Sequence, residues 1–139
     1  MVRLEGVGLR YGEGRDGSEV LSGISFAVPE GGFRWLLGAS GAGKSSLLRL
    51  LHLACRPSSG RLMLMGEDVG RAPRGQLPAL RRQIGMVFQD FRLLAHLSAF
   101  DNVALPLRLA GKKEGEFGHD VSELLSWVGL GDRMQARPP

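Results

Sequence analysis

Residues 38–45 read Gly-Ala-Ser-Gly-Ala-Gly-Lys-Ser, a glycine-paced loop of the form G-x-x-x-x-G-K-[ST]. No other stretch constrains the chain as tightly. Glycines at these positions let successive backbone N–H groups turn inward and form a nest around phosphate oxygens. A lysine after the last glycine reaches the terminal phosphates, and the hydroxyl next to it ligates magnesium. A helix beginning at that lysine turns the positive end of its dipole toward the same anion. The flanking pattern suits this reading. Phe33 to Leu37 is a short apolar run that predicts a strand, and Lys44 to Cys55 is apolar almost all round, which predicts a helix buried on most sides. The motif implies binding of a nucleoside triphosphate at Gly38, Ala39, Ser40, Gly41, Ala42, Gly43, Lys44, Ser45 and Ser46.

Composition narrows the class further. At 43% apolar and 23% charged, 139 residues suffice for one compact domain with a real core. The 21 glycines exceed ordinary usage and ask for tight turns or close approach of backbone to a ligand. No uncharged apolar run approaches the ~18 residues of a membrane-spanning helix, and Met1-Val2-Arg3-Leu4-Glu5 lacks the apolar stretch of a secretory signal. The single cysteine, Cys55, excludes an internal disulfide framework and a Cys-based zinc site. His52, His96 and His119 have no metal-ligating partner at useful spacing. A net charge of +4 permits an anionic partner without requiring one. The arginines from Arg71 to Arg82 lack interleaved aromatics, so a solvated face is expected there and no direct nucleic-acid contact.

Along the chain, alternation at Val7, Leu9 and Tyr11 predicts a strand, a Gly- and charge-rich loop runs from Gly12 to Ser18, and Ile24, Phe26 and Val28 predict a second strand. Pro29-Glu30-Gly31-Gly32 reads as a turn, and Arg56-Pro57-Ser58-Ser59-Gly60 as the stop of the helix. Leu62 and Leu64 predict another strand, and Ile84 to Phe88 a buried strand ending at Gln89-Asp90. Helices are expected from Phe100, limited by Pro106, and around Val121, Leu124, Leu125 and Val128, with Gly129 placed to end the last and Trp127 packing from it.

Taken together, Tyr11 before a Gly-rich loop, Leu21-Ser22-Gly23-Ile24-Ser25-Phe26, the loop at 38–45 and Arg56-Pro57-Ser58-Ser59-Gly60 resemble the nucleotide-binding subunits of ABC transporters. The segment from Leu80 to Asp90 is similar to that family's Q-loop, and Asp101-Asn102-Val103 fits the stretch C-terminal to that loop in the family. The wording from Leu80 to Leu94 and from Phe100 to Leu107 most resembles the cell-division ATPases of the FtsE type, with lipoprotein and peptide exporters sharing much of it. The resemblance implies an α/β P-loop NTPase: an N-terminal antiparallel β part plus the start of a parallel core sheet, with residues 1–90 holding the P-loop and Q-loop and 91–139 starting a helical subdomain.

It also implies roles. Tyr11 stacks on adenine, Ser45 and Gln89 contact magnesium, and Gln89 positions the attacking water. Phe91, Leu93, Leu94, Leu97 and Phe100 line a groove for the cytoplasmic helix of an integral membrane subunit, FtsX-like in the cell-division type. The cofactors implied are ATP and magnesium. The implied setting is a homodimer of the full-length protein, peripheral to the cytoplasmic face of a bacterial inner membrane. The family's signature Leu-Ser-Gly-Gly-Gln/Glu, its Walker B strand ending Asp-Glu and its switch histidine have no counterpart here, and Arg137-Pro138-Pro139 falls where the signature segment would begin. The expectation is therefore the N-terminal portion of a longer ATPase, one that binds ATP but does not hydrolyse it. Other readings compete. A Ras-type GTPase needs Asn-Lys-x-Asp, which Lys112-Lys113-Glu114-Gly115 does not supply; a nucleotide kinase stays open but gives the Tyr11 and Gln89 segments no role; and a basic nucleic-acid-binding module would rest on charge alone.

Overall fold

A computed structural model of the chain describes residues 1–12 and 18–139, so most of the expected Gly12–Ser18 loop lies outside the described residues. The chain divides into two compact units, Met1–Met86 and Val87–Pro139. Gln89 therefore goes with the second unit, whereas the sequence grouped it with the P-loop.

The first unit is built on an antiparallel sheet. Strand β1 (Val2–Tyr11) pairs on one side with β2 (Ser18–Val28) and on the other with β3 (Ser59–Leu64), which carries the two-residue β4 (Glu67–Asp68), giving the order β2-β1-β3-β4. Strict alternation would put Leu4 and Val7 on opposite faces. A register shift between them, with Gly6 in the left-handed region at φ 58°, returns both to the core. Against this sheet packs helix α1 (Lys44–Leu51), which contributes Leu47 and Leu50 to a cluster with Leu4, Val7, Leu9, Leu21, Leu62 and Leu64. Val69, Ala72 and the short α2 (Leu77–Arg81), through Leu77 and Leu80, complete it.

Several sequence expectations change here. Helix α1 stops at Leu51 rather than Cys55, because Leu53 turns left-handed at φ 60° while its side chain stays buried. The helix is also less enclosed than its composition suggests: Leu48 is 46% exposed. Neither 33–37 nor 84–88 forms a strand, so the start of a parallel core sheet is absent among the described residues. Trp35 is 79% exposed and Val87 93% exposed. Apolar runs report a tendency to be buried, whereas a strand also needs a neighbour to receive its backbone hydrogen bonds, and no described strand pairs with either segment.

The second unit is a helical pair. Helix α3 (Ala99–Leu109) begins at Ser98, whose hydroxyl accepts a hydrogen bond from the Asp101 N–H at 3.1 Å. Helix α4 (Glu114–Trp127) begins where the Glu116 carboxylate accepts the Lys113 N–H, and it ends at Gly129, φ 80°. Ala104, Phe117, Val121 and Leu125 form the core between them. Trp127 does not pack as expected. It projects from the opposite face of α4 and is 84% exposed. Arg108 ties the helices together, donating to Asp101 Oδ1 at 2.7 Å and Glu114 Oε2 at 2.9 Å. The Ser98 hydroxyl, and after it Arg108, holds the Asp101 carboxyl below the usual carboxylate range.

Two consequences are measurable by urea unfolding. Leu50 is wholly buried, so Leu50→Ala should cost about 2–5 kcal/mol, while Leu48→Ala should cost well under ~1 kcal/mol. Equal losses would contradict the core described. Because the Asp101 pKa is lowered on folding, its stabilisation is present above the ordinary carboxylate pKa and lost as pH falls through the folded value. Asp101→Asn should therefore flatten the acid limb of the stability profile below about pH 4. An unchanged acid limb would show that the Ser98 and Arg108 contacts do not form in solution.

Candidate functional site

Strand β2 and helix α1 bracket the loop at 38–43. Gly41 and Gly43 sit in the left-handed region at φ 80° and 84°, a conformation that bars most side chains. At Gly43 space is limiting as well: a Cβ would lie 2.8 Å from Leu21 Cδ2 and 3.1 Å from the Val20 carbonyl oxygen. The absent side chain is what lets the loop seat against β2. Gly43 also occupies the N-cap position of α1, makes no side-chain cap, and is succeeded by a first turn without acidic residues. The leading N–H groups of α1 thus have no side-chain acceptor among the described residues, which suits an anionic ligand.

Lys44 folds back across the loop. Its Nζ donates to the carbonyl oxygens of Gly38 and Ala39, each at 2.7 Å, which holds the ammonium over the loop. Ser45, in the first turn of α1, is exposed and carries a hydroxyl able to ligate a divalent cation. Glycine freedom, unpartnered N–H donors, a cation and a hydroxyl together fit a magnesium–triphosphate group, in which the metal would offset charge on the β- and γ-phosphates.

Tyr11, at the end of β1, is brought to the same helix. Its hydroxyl lies 3.5 Å from Ser46 Oγ, and the Arg49 guanidinium stands over its ring, 5.6 Å from the centroid. The ring is half-buried against the sheet cluster. Cys55 lies beside it. Burial pushes the Cys55 thiol up, opposed by the charge of Arg49 and a hydrogen bond with Tyr11. The thiol is half-buried. Sequence reasoning missed Arg49: its only signal was a position three residues after Ser46, one turn along the same helix face.

The other expected site residues lie in the second unit. Gln89 is exposed, in a turn where Phe91 and Arg92 are both left-handed, at φ 55° and 51°. Arg92 stacks over the Phe88 ring at 3.9 Å and pairs with Asp90 at 3.4 Å. Phe91, Leu93 and Leu94 are exposed, while Leu97 is half-buried and Phe100 packs into the helical core. Asn102 fixes the segment ahead of α3, accepting the Leu94 N–H at 2.8 Å and donating to the carbonyls of Leu94, Leu97 and Ser98. The arginines at 71, 74, 81 and 82 are exposed.

A glycine-turned loop between sheet and helix, a lysine over its mouth and an uncapped helix start have the form of a phosphate-binding P-loop. The profile of the ABC transporter family matches residues 21–139. The chain belongs to the ABC transporter ATP-binding family and has the P-loop cassette fold. It is 43% identical over 138 residues to the methionine import ATP-binding protein MetN of Chromohalobacter salexigens, covering 99% of this chain and 40% of that protein. It is 47% identical over 128 residues to MetN 3 of Pseudomonas fluorescens, covering 92% of this chain and 39% of that one. Among solved structures it resembles a dimeric ATP-binding cassette, MJ0796, in a post-hydrolysis state bound to ADP and Pi. The TM-score is 0.86 at 29% identity, covering 100% of this chain and 62% of that one. The chain thus spans about two-fifths of the length of these curated relatives. Those relatives are named for methionine import, and they lend no support to the cell-division type that residues 80–94 and 100–107 suggested.

The site makes one direct prediction. Lys44→Ala removes a charge-assisted contact of the ~1.5–3 kcal/mol class, so affinity for magnesium–ATP should fall about ten- to a hundred-fold by calorimetry. Lys44→Arg should not restore it, because a planar guanidinium does not replace a compact ammonium between two carbonyls. Unchanged affinity in Lys44→Ala would remove the lysine from the site.

Proposed function

We propose that this chain carries the ATP-binding half of the catalytic machinery of an ABC import subunit, with methionine or a similar amino acid as the transported class. The observation that carries the reading is the arrangement at 38–46. Uncapped N–H groups of α1, Lys44 and Ser45 converge on one loop, and Tyr11 is tied to the same helix. Triphosphate and magnesium bind at the loop, and adenine stacks on Tyr11. The substrate class rests on the names of the relatives alone.

Turnover needs more than these groups. A base or water-positioning carboxylate and an opposing donor at the γ-phosphate are required, and the 139 residues contain neither the signature stretch nor an Asp-Glu strand. In this reading the chain binds magnesium–ATP, and hydrolysis belongs to the full-length protein, whose head-to-tail homodimer sets the signature stretch of one copy against the P-loop of the other. The dimer acts on an integral membrane subunit at the cytoplasmic face of the inner membrane, of the importer kind rather than FtsX-like. Among the described residues no helix is long and apolar enough to cross a membrane, which is consistent with a separate membrane subunit.

A second reading, cell-division output, rests on the wording from Leu80 to Leu94 and from Phe100 to Leu107. Complementation separates the two. The gene for the full-length protein containing these residues should restore growth on limiting methionine to a strain lacking its methionine-import ATPase, and the Lys44→Ala allele should not. Rescue of a division defect without rescue of import would replace the importer reading with the cell-division one.

A further inference from the structure

We infer that Arg49 is a positioning residue for base recognition, fixing the Tyr11 ring in the attitude in which it receives the purine. The inference rests on the reading that residues 38–46 bind a nucleoside triphosphate, and it assigns a role to a side chain that reading leaves unused.

Tyr11 sits at the last position of β1. A side chain at a strand end has rotameric freedom unless something holds it. Besides packing on the sheet cluster and a hydrogen bond with Cys55, two groups from α1 do so: Ser46 Oγ lies 3.5 Å from the Tyr11 hydroxyl, and the Arg49 guanidinium lies over the ring, 5.6 Å from its centroid. Ser46 and Arg49 are three residues apart, so both project from one face of the helix. That helix begins at Lys44 and carries the phosphate-binding N–H groups at its start. The aromatic ring and the phosphate nest are therefore referred to a single rigid element. The hydroxyl contact fixes one point of the ring; the guanidinium fixes its tilt. A π-face made ready in this way costs the incoming base less ordering entropy than a free rotor would. Arginine suits the task because its planar, weakly hydrated cation lies against an aromatic face at small desolvation cost.

Arg49 is itself exposed, so replacing it leaves the core intact. Its contribution is confined to ligands that carry a base. The experiment compares ATP with inorganic tripolyphosphate, both with magnesium, by calorimetry on the purified chain. Arg49→Ala should weaken ATP about two- to five-fold and leave tripolyphosphate unchanged. Arg49→Lys should recover most of the loss, since an ammonium also lies favourably over a tyrosine ring. Tyr11→Ala should weaken ATP about ten-fold, again sparing tripolyphosphate. An equal fall for both ligands in Arg49→Ala would overturn the inference, because it would mean that the arginine acts only as a charge near the phosphates. Unchanged or tightened ATP binding in Arg49→Ala, with Tyr11→Ala still weak, would overturn it while leaving the nucleotide reading intact. Failure of the unsubstituted chain to bind either ligand would sink the nucleotide reading, and the inference with it.

Discussion

The contact on which the first unit depends is the bare backbone of Gly43 against Leu21. With no Cβ in the way, the loop closes down on β2 and leaves the strand's side chain in the core. Its left-handed φ then starts α1 at Lys44 with unpartnered N–H groups facing the loop. The same closure sets Lys44 over the carbonyls of Gly38 and Ala39 and brings Ser46 beside Tyr11. Sheet, loop and helix are thus joined at one residue that no larger side chain can replace without displacing Leu21 or the Val20 carbonyl.

Much of this was legible in the amino-acid sequence, for a physical reason. The glycines at 41 and 43 carry their conformational meaning locally, and so does Gly129 at the end of α4. The antiparallel strands also emerged, since β1 and β2 share the alternation of half-buried strands. Where pairing depends on distant partners, the reading failed. Segments 33–37 and 84–88 are as apolar as strands, yet among the described residues they have no neighbour to pair with. The Leu4-to-Val7 register shift broke the alternation and could be recognised only once the neighbouring strands were in place. Trp127 was misjudged because a large aromatic was assumed to be buried, although Val121 and Leu125 already define the opposite face of α4 as the inner one.

The candidate site divides in the same way. The phosphate loop is a contiguous motif and could be read residue by residue. The contacts of Tyr11 could not, because the partners that hold it lie 35 and more residues away, on α1. The second unit shows a parallel case. Asn102 looks like an ordinary residue of α3, yet its side chain holds four backbone groups of the preceding segment, the one C-terminal to Gln89. Side-chain bonds of this kind fix irregular backbone that no ladder supports, and periodicity carries no trace of them.

The central claim is that the triphosphate is held by backbone N–H groups at the start of α1. Amide NMR of the isotopically labelled chain tests it most directly. On titration with magnesium–ATP, the account predicts saturable shifts at Gly41, Gly43, Lys44, Ser45 and Ser46, with a smaller shift at Tyr11. Shifts centred instead on the exposed arginines 71, 74, 81 and 82, with the loop unmoved, would contradict it.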